Sequence, residues 1–275
     1  MGIRPKKRLG QNFLIDEKII GAIVRLADIA EGDEVLEIGP GMGFLTRALL
    51  AEARRVWAVE VDSLLVEWMR NSSLGSNSSL QLIHGDVLKI RFVDFLPEHK
   101  IKLVGNLPYH ISTPVLFHIL EQRQHFSHLV LMVQREVAER LSARPGTKSY
   151  GTLSIWCQVY GEIVGQLRVS PGAFFPQPKV HSTVLKIQLR PVPLVPESDV
   201  SSLRDVVRAS FGQRRKTLSN ALANLLKRER GEVDALLKLE GIDPRRRGET
   251  LDVEEMIRLA RTLNANPSAE HKNYP

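Results

Sequence analysis

Asn106-Leu107-Pro108-Tyr109 follows an apolar strand end, Lys102 to Val104, and a glycine, Gly105. A side-chain amide, a rigid proline and an aromatic face at the end of a strand can accept hydrogen bonds from a polar group and stack on a planar one. In open α/β folds, ligands bind at that carboxyl edge. Taken alone, the four residues are better explained as a strand-to-helix loop in which Asn forms the turn and Tyr packs. Three other strand ends overturn that reading. Val35-Leu36-Glu37-Ile38 runs into Gly39-Pro40-Gly41-Met42-Gly43, Val56 to Val59 ends at Glu60, and Leu80 to Ile83 leads through His84-Gly85 to Asp86.

The glycines are spaced Gly-x-Gly-x-Gly, not the Gly-x-Gly-x-x-Gly of a pyrophosphate cradle. Glu37, just before them, would repel phosphates and suits a cationic or amino-bearing ligand. Glu60 lies about 20 residues past the first glycine, where a carboxylate commonly holds ribose hydroxyls. Asp86 is read equally well as a turn or cap aspartate and as a contact to the nucleoside. One crevice holding Gly39, Gly41, Glu60, Asp86 and Asn106 fits S-adenosylmethionine better than NAD. No metal is expected.

The elements that must position these groups are legible in the periodicity. Ile19, Ile20, Ile23, Val24 and Ala27 recur at helical spacing, and short apolar runs alternate with helices as far as Arg190. Repeated strand-helix units predict a mostly parallel α/β sheet covered on both faces, spanning 16–190. Pro191, Pro193 and Pro196 mark a linker at 191–198. Beyond it, four apolar stripes within 199–263 predict a small all-α domain, followed by a disordered tail at 264–275. Residues 1–15 form a basic N-terminal segment whose Gln11-Asn12-Phe13-Leu14 suggests a stretch folded over something.

With 275 residues and 43% hydrophobic composition, the chain can bury one large core and a smaller one. A net charge of +7 favours a polyanionic partner, more through its distribution than its size. Arg4, Lys6, Lys7 and Arg8 at the start, and Arg208, Arg214, Arg215 and Lys216 on the helical region, suit a surface that tracks phosphates, although charged helix faces are usually only solvated. The single cysteine, Cys157, excludes a disulfide framework and fits the cytoplasm. No apolar run approaches the length of a membrane span, so no membrane partner is expected.

Gln11-Asn12-Phe13-Leu14, Glu37-Ile38-Gly39-Pro40-Gly41-x-Gly43, Asn106-Leu107-Pro108-Tyr109 and Phe174-x-Pro176-x-Pro178-x-Val180-x-Ser182, in this order, resemble the motifs of the ribosomal RNA adenine N6-dimethyltransferases. The likeness runs over nearly the whole chain. It implies a Rossmann-like class I methyltransferase fold, S-adenosylmethionine as methyl donor and S-adenosylhomocysteine as product. It implies cofactor contacts at Asn12, Leu14, Gly39, Glu60, Asp86 and Asn106, with Gly41 added by the crevice. It further implies catalytic and base-binding roles for Asn106, Leu107, Tyr109 and Phe174, with Pro108 holding the Leu107 carbonyl rigid. Phe211-Gly212-Gln213-Arg214-Arg215-Lys216-Thr217-Leu218 resembles the signature of the housekeeping members. That implies dimethylation of two adjacent adenines in the 3′-terminal hairpin of 16S rRNA, in the 30S subunit or its precursor, by a monomer. The alternatives are a resistance-type enzyme acting on 23S rRNA and a non-catalytic RNA-binding or assembly factor on the same fold.

Overall fold

Runs of Val, Ile and Leu that are too short for helices become strands, and the amphipathic stretches between them become the covering helices. The computed structural model describes residues 5, 6 and 9–266. In chain order the elements of the first part are β1 (Phe13–Leu14), α1 (Glu17–Leu26), β2 (Glu34–Ile38), α2 (Phe44–Glu52), β3 (Arg55–Glu60), α3 (Ser63–Arg70), β4 (Leu80–His84), β5 (Ile101–Asn106), α4 (Ser112–Glu121), β6 (Phe126–Gln134), α5 (Arg135–Leu141), α6 (Thr152–Tyr160), β7 (Gly161–Val169), β8 (Phe174–Phe175) and β9 (Ser182–Leu189). Asp16 starts α1 by accepting from the amides of Lys18 and Ile19 at 2.9 and 3.2 Å. The helix then turns Ile20 and Ile23 into the core beside Leu45, Leu49 and Val104. Each such buried aliphatic side chain contributes about 1.5–3 kcal/mol.

The seven strands of the main sheet are ordered β4-β3-β2-β5-β6-β9-β7. The first five run parallel, as expected, and β9 returns antiparallel to β6, so the sheet is mixed. A second, two-stranded sheet was not anticipated. Phe13 pairs with Phe175 and Leu14 with Phe174, which fastens the N-terminal segment to the Phe-Pro motif. Helix α4 is capped at Ile111, so Thr113 and Pro114 lie in its first turn.

The chain divides into two compact units. One comprises the residues up to Ala138 with Glu162–Leu189, and the other comprises Glu139–Gly161 with the residues from Arg190 on. The second unit includes α7 (Val200–Gly212), α8 (Leu218–Leu226), α9 (Arg230–Leu239) and α10 (Val253–Ala265). It also takes in α6 and the loop before it, which the sequence reading assigned to the sheet domain. Buried Tyr150 explains this: its hydroxyl donates to Leu251 O at 2.9 Å and its ring meets Phe211 edge-on. Among the described residues, no helix is long and apolar enough to cross a membrane.

Candidate active site

Register brings the four strand ends level. Ile38 pairs with Val59 and with Gly105, and Glu60 pairs with His84, so Gly39, Glu60, Asp86 and Asn106 emerge along one sheet edge. They line a single cavity together with Asn12, Leu14, Gly41, Leu107, Pro108 and Tyr109. The glycine turn folds tightly, Gly43 N–H donating to Pro40 O at 2.9 Å. Gly41 has φ +57°, and a Cβ placed there would sit 2.9 Å from the Phe13 ring. Only glycine both adopts that backbone and lets the N-terminal segment approach it.

Two buried acids set the electrostatics. Glu60 is held by two amides, Gly41 N–H at 3.2 Å and Asp62 N–H at 2.9 Å. Burial pushes its carboxyl above the ordinary value, and those amides oppose the shift. Glu37 is buried outright, and desolvation pushes its pKa to about 8. The free protein at neutral pH therefore carries a neutral Glu37, not the anion expected from the sequence. Its Oε2 has no hydrogen-bond partner among the described residues. An orphaned carboxyl oxygen on the cavity wall fits an amino group of a bound ligand, as the α-ammonium of S-adenosylmethionine would provide. Asp86 proves to be a cap as well as a cavity residue, its side chain accepting from Leu88 N–H at 3.0 Å.

Glu37 carries a pH prediction. An unfolded glutamate titrates near 4.5 and the folded one near 8, so the unfolded chain releases its proton first. Stability from this group is present below the unfolded value and is lost as pH rises towards the folded one. In thermal melts of the cofactor-free protein, Glu37→Gln should gain on the wild type between about pH 5 and about pH 8. A constant difference across that interval would refute the assignment.

At the end of β5, Asn106 Nδ2 donates to the backbone carbonyl of Asn12 at 3.2 Å. That bond fixes which end of the amide is spent, and Oδ1 is the end left to accept. Leu107 is buried and its N–H is taken by Met132 O at 3.1 Å, which holds the peptide that carries its carbonyl. The Tyr109 hydroxyl shares a 2.6 Å hydrogen bond with Ser182 Oγ, a partner that sequence reasoning missed although Ser182 closes the Phe-Pro motif. Burial keeps the phenol above its ordinary pKa, so it is protonated at neutral pH. Phe174 is not brought to the cavity. It is 2% exposed and packed in the core near Leu14 and Ala173, because the β1–β8 pairing turns it inward and leaves Phe175 60% exposed.

The cations read from the sequence divide by partner. Arg4, Lys7 and Arg8 lie outside the described residues. Lys6 binds Asp62 at 2.6 Å. Arg208 pairs with Asp205 at 3.1 Å. Arg214 donates to Lys148 O at 3.0 Å and to Tyr150 O, and it lies over the Phe211 ring, so it holds a loop of the second unit together. Arg215 and Lys216 are exposed, with no ion pair among the described residues. Cys157 is buried and its thiol pushed up to about 12, which makes it useless as a nucleophile.

Comparison with known proteins bears on this geometry. The sequence profile of the family described as ribosomal RNA adenine dimethylase matches residues 2–265. A "ribosomal RNA small subunit methyltransferase A" of Syntrophotalea carbinolica is 46% identical, over 96% of this chain and 98% of its own. One of the same name from Moorella thermoacetica is 44% identical, over 95% and 93%. Among solved structures, a dimethyladenosine transferase from Plasmodium falciparum superimposes with TM-score 0.79 at 25% identity, covering 92% of this chain and 98% of that one. The 23S rRNA methyltransferase ErmE gives 0.69 at 26% identity, covering 92% and 100%. With a profile match over nearly its whole length and relatives above 40% identity, the chain belongs to the ribosomal RNA adenine dimethylase family.

Proposed function

We propose that the chain dimethylates N6 of two adjacent adenines in the 3′-terminal hairpin of small-subunit rRNA, late in assembly of the 30S particle. The observation that carries this is the tethered Asn106 amide, which donates to Asn12 and lines the cavity shared with Tyr109 and the glycine turn, so that its oxygen is the end left to accept. S-adenosylmethionine, when bound, supplies an electrophilic methyl group on a sulfonium. The protein's task is then to present the amine. Adenine's exocyclic nitrogen is a weak nucleophile because its lone pair is delocalised into the ring. Asn106 Oδ1 and the Leu107 carbonyl accept its two hydrogens, favour the pyramidal form and aim the lone pair. Tyr109 stacks on the extruded base. The methylated amine is acidic enough to lose its proton to solvent, so orientation and electrostatics supply the catalysis and no general base is needed.

Small-subunit specificity is supported by the names of the relatives at 44–46% identity, against 26% for the 23S enzyme. Radiolabelled methyl transfer to isolated 30S particles and to protein-free 23S RNA tests it, and labelling confined to 23S RNA would overturn the proposal. We take the enzyme to be a cytoplasmic monomer. Arg215 and Lys216, exposed and without an ion pair among the described residues, are cations that can meet phosphate. Reversing both charges should weaken 30S binding and flatten its salt dependence by up to about two counterions, with cofactor affinity retained. Arg214→Glu should instead lower the melting temperature, because Arg214 serves the fold. Equal loss of cofactor binding in the Arg215 and Lys216 variants would contradict the assignment.

A further inference from the structure

We infer that Asp62 is a positioning residue that latches the N-terminal segment over the cofactor cavity, with Lys6 and Gln11 as the other half of the latch. The inference rests on the reading that this cavity holds S-adenosylmethionine. Leu9 to Leu14 form one wall of it. Towards Leu14 that wall is secured twice, by the β1–β8 pairing and by the bond from Asn106 to Asn12 O. Its outer part is secured by Asp62.

Asp62 caps α3, its Oδ1 accepting from Leu64 N–H at 3.1 Å. A cap carboxylate normally faces water, yet this side chain is 2% exposed, with Lys6 and Gln11 lying on it. Lys6 Nζ donates to Oδ1 at 2.6 Å and Gln11 Nε2 donates to Oδ2 at 2.8 Å. Gln11 Oε1 in turn takes the backbone N–H of Lys6 at 2.7 Å, so the two strap residues grip the carboxylate as one unit. Burial would raise the Asp62 pKa, and the bonds from Lys6 and Gln11 hold it below the ordinary value instead. Asp62 is therefore ionised at neutral pH. The latch also connects inward, since Asp62 N–H donates to Glu60, which holds Gly41. Strap, ribose-side acid and glycine turn thus share one hydrogen-bond chain.

An ion pair with one partner partly exposed is a modest tie, but here three donors converge on one buried carboxylate, and such bonds are stronger than neutral ones. Opening the strap must break the two that come from Lys6 and Gln11. The latch therefore acts chiefly on how long the cofactor stays.

The test is the dissociation rate of S-adenosylhomocysteine from the full chain without RNA, by stopped-flow displacement. Lys6→Met should speed release about tenfold, and Lys6→Arg, which keeps a cation, should restore most of it. Asp62→Asn keeps a side chain able to cap α3, but its Nδ2 would face a donor of Gln11, or the flipped Gln11 would face Lys6 N–H. It should speed release at least as much as Lys6→Met, and adding Lys6→Met to it should change little further. In turnover, the deficit should appear in cofactor KM and be overcome by saturating cofactor. A role confined to folding would lower the melting temperature without this split. Unaltered release in both Lys6→Met and Asp62→Asn overturns the latch. A wild-type chain that does not bind S-adenosylhomocysteine would instead overturn the cavity assignment beneath it.

Discussion

Asn106→Ala should lower the single-turnover rate of methyl transfer by about two to three orders of magnitude, the scale of losing one preorganised hydrogen-bond partner at a reacting centre. Asn106→Asp should lose less, because it keeps an acceptor for the amine, and a charged acceptor holds an N–H more strongly. Each substitution also deletes the Nδ2 bond to Asn12 O, a tether of the N-terminal segment. Both variants should therefore bind S-adenosylhomocysteine somewhat more weakly, and by similar factors, while their transfer rates differ. That split separates the two ends of one side chain: affinity reports the donor, rate reports the acceptor. An aspartate variant slower than the alanine variant at saturating cofactor would count against the acceptor role.

The strand ends were legible because each is a local pattern. An apolar run followed by glycines, or by a single acid, marks the carboxyl edge of a parallel strand whatever its neighbours do, and the sheet's register then had to bring Gly39, Glu60, Asp86 and Asn106 level. The partners of charged and polar groups were not legible. Lys6 reads as one cation of a basic tail, but its ammonium is spent on an aspartate 56 residues away. Arg214 sits in a cluster that looks made for phosphate, but it serves two carbonyls of its own unit. Counting charges along a chain gives their sign and not whether they are already neutralised.

Aromatic residues failed to read for a different reason. Phe174 and Phe175 are adjacent, and in a strand adjacent side chains point to opposite faces, so which one is buried depends on a two-residue pairing that periodicity cannot detect. Glu37 shows the same limit in electrostatics. Its type and place were clear from the sequence, but its neutral state follows from burial, which only the packed structure reveals.

Tyr109→Ala should cost about 1–3 kcal/mol of base stacking, or roughly five- to 150-fold in kcat/KM for RNA, with the affinity for S-adenosylhomocysteine little changed. The bond from Tyr109 to Ser182 says how the ring is kept in place. Tyr109→Phe keeps the stacking face and loses the bond; Ser182→Ala loses the same bond from the other side. Each should reduce kcat/KM by a few-fold, in line with about 1 kcal/mol for a hydrogen bond. If the hydroxyl matters only by orienting the ring, the double variant should be no worse than either single one, since the second change removes nothing that remains. Full additivity would mean that Tyr109 and Ser182 act separately. In that case the link between the Asn-Leu-Pro-Tyr turn and the Phe-Pro motif would be one of packing alone, and the orientation of the stacked base would have to come from the turn itself.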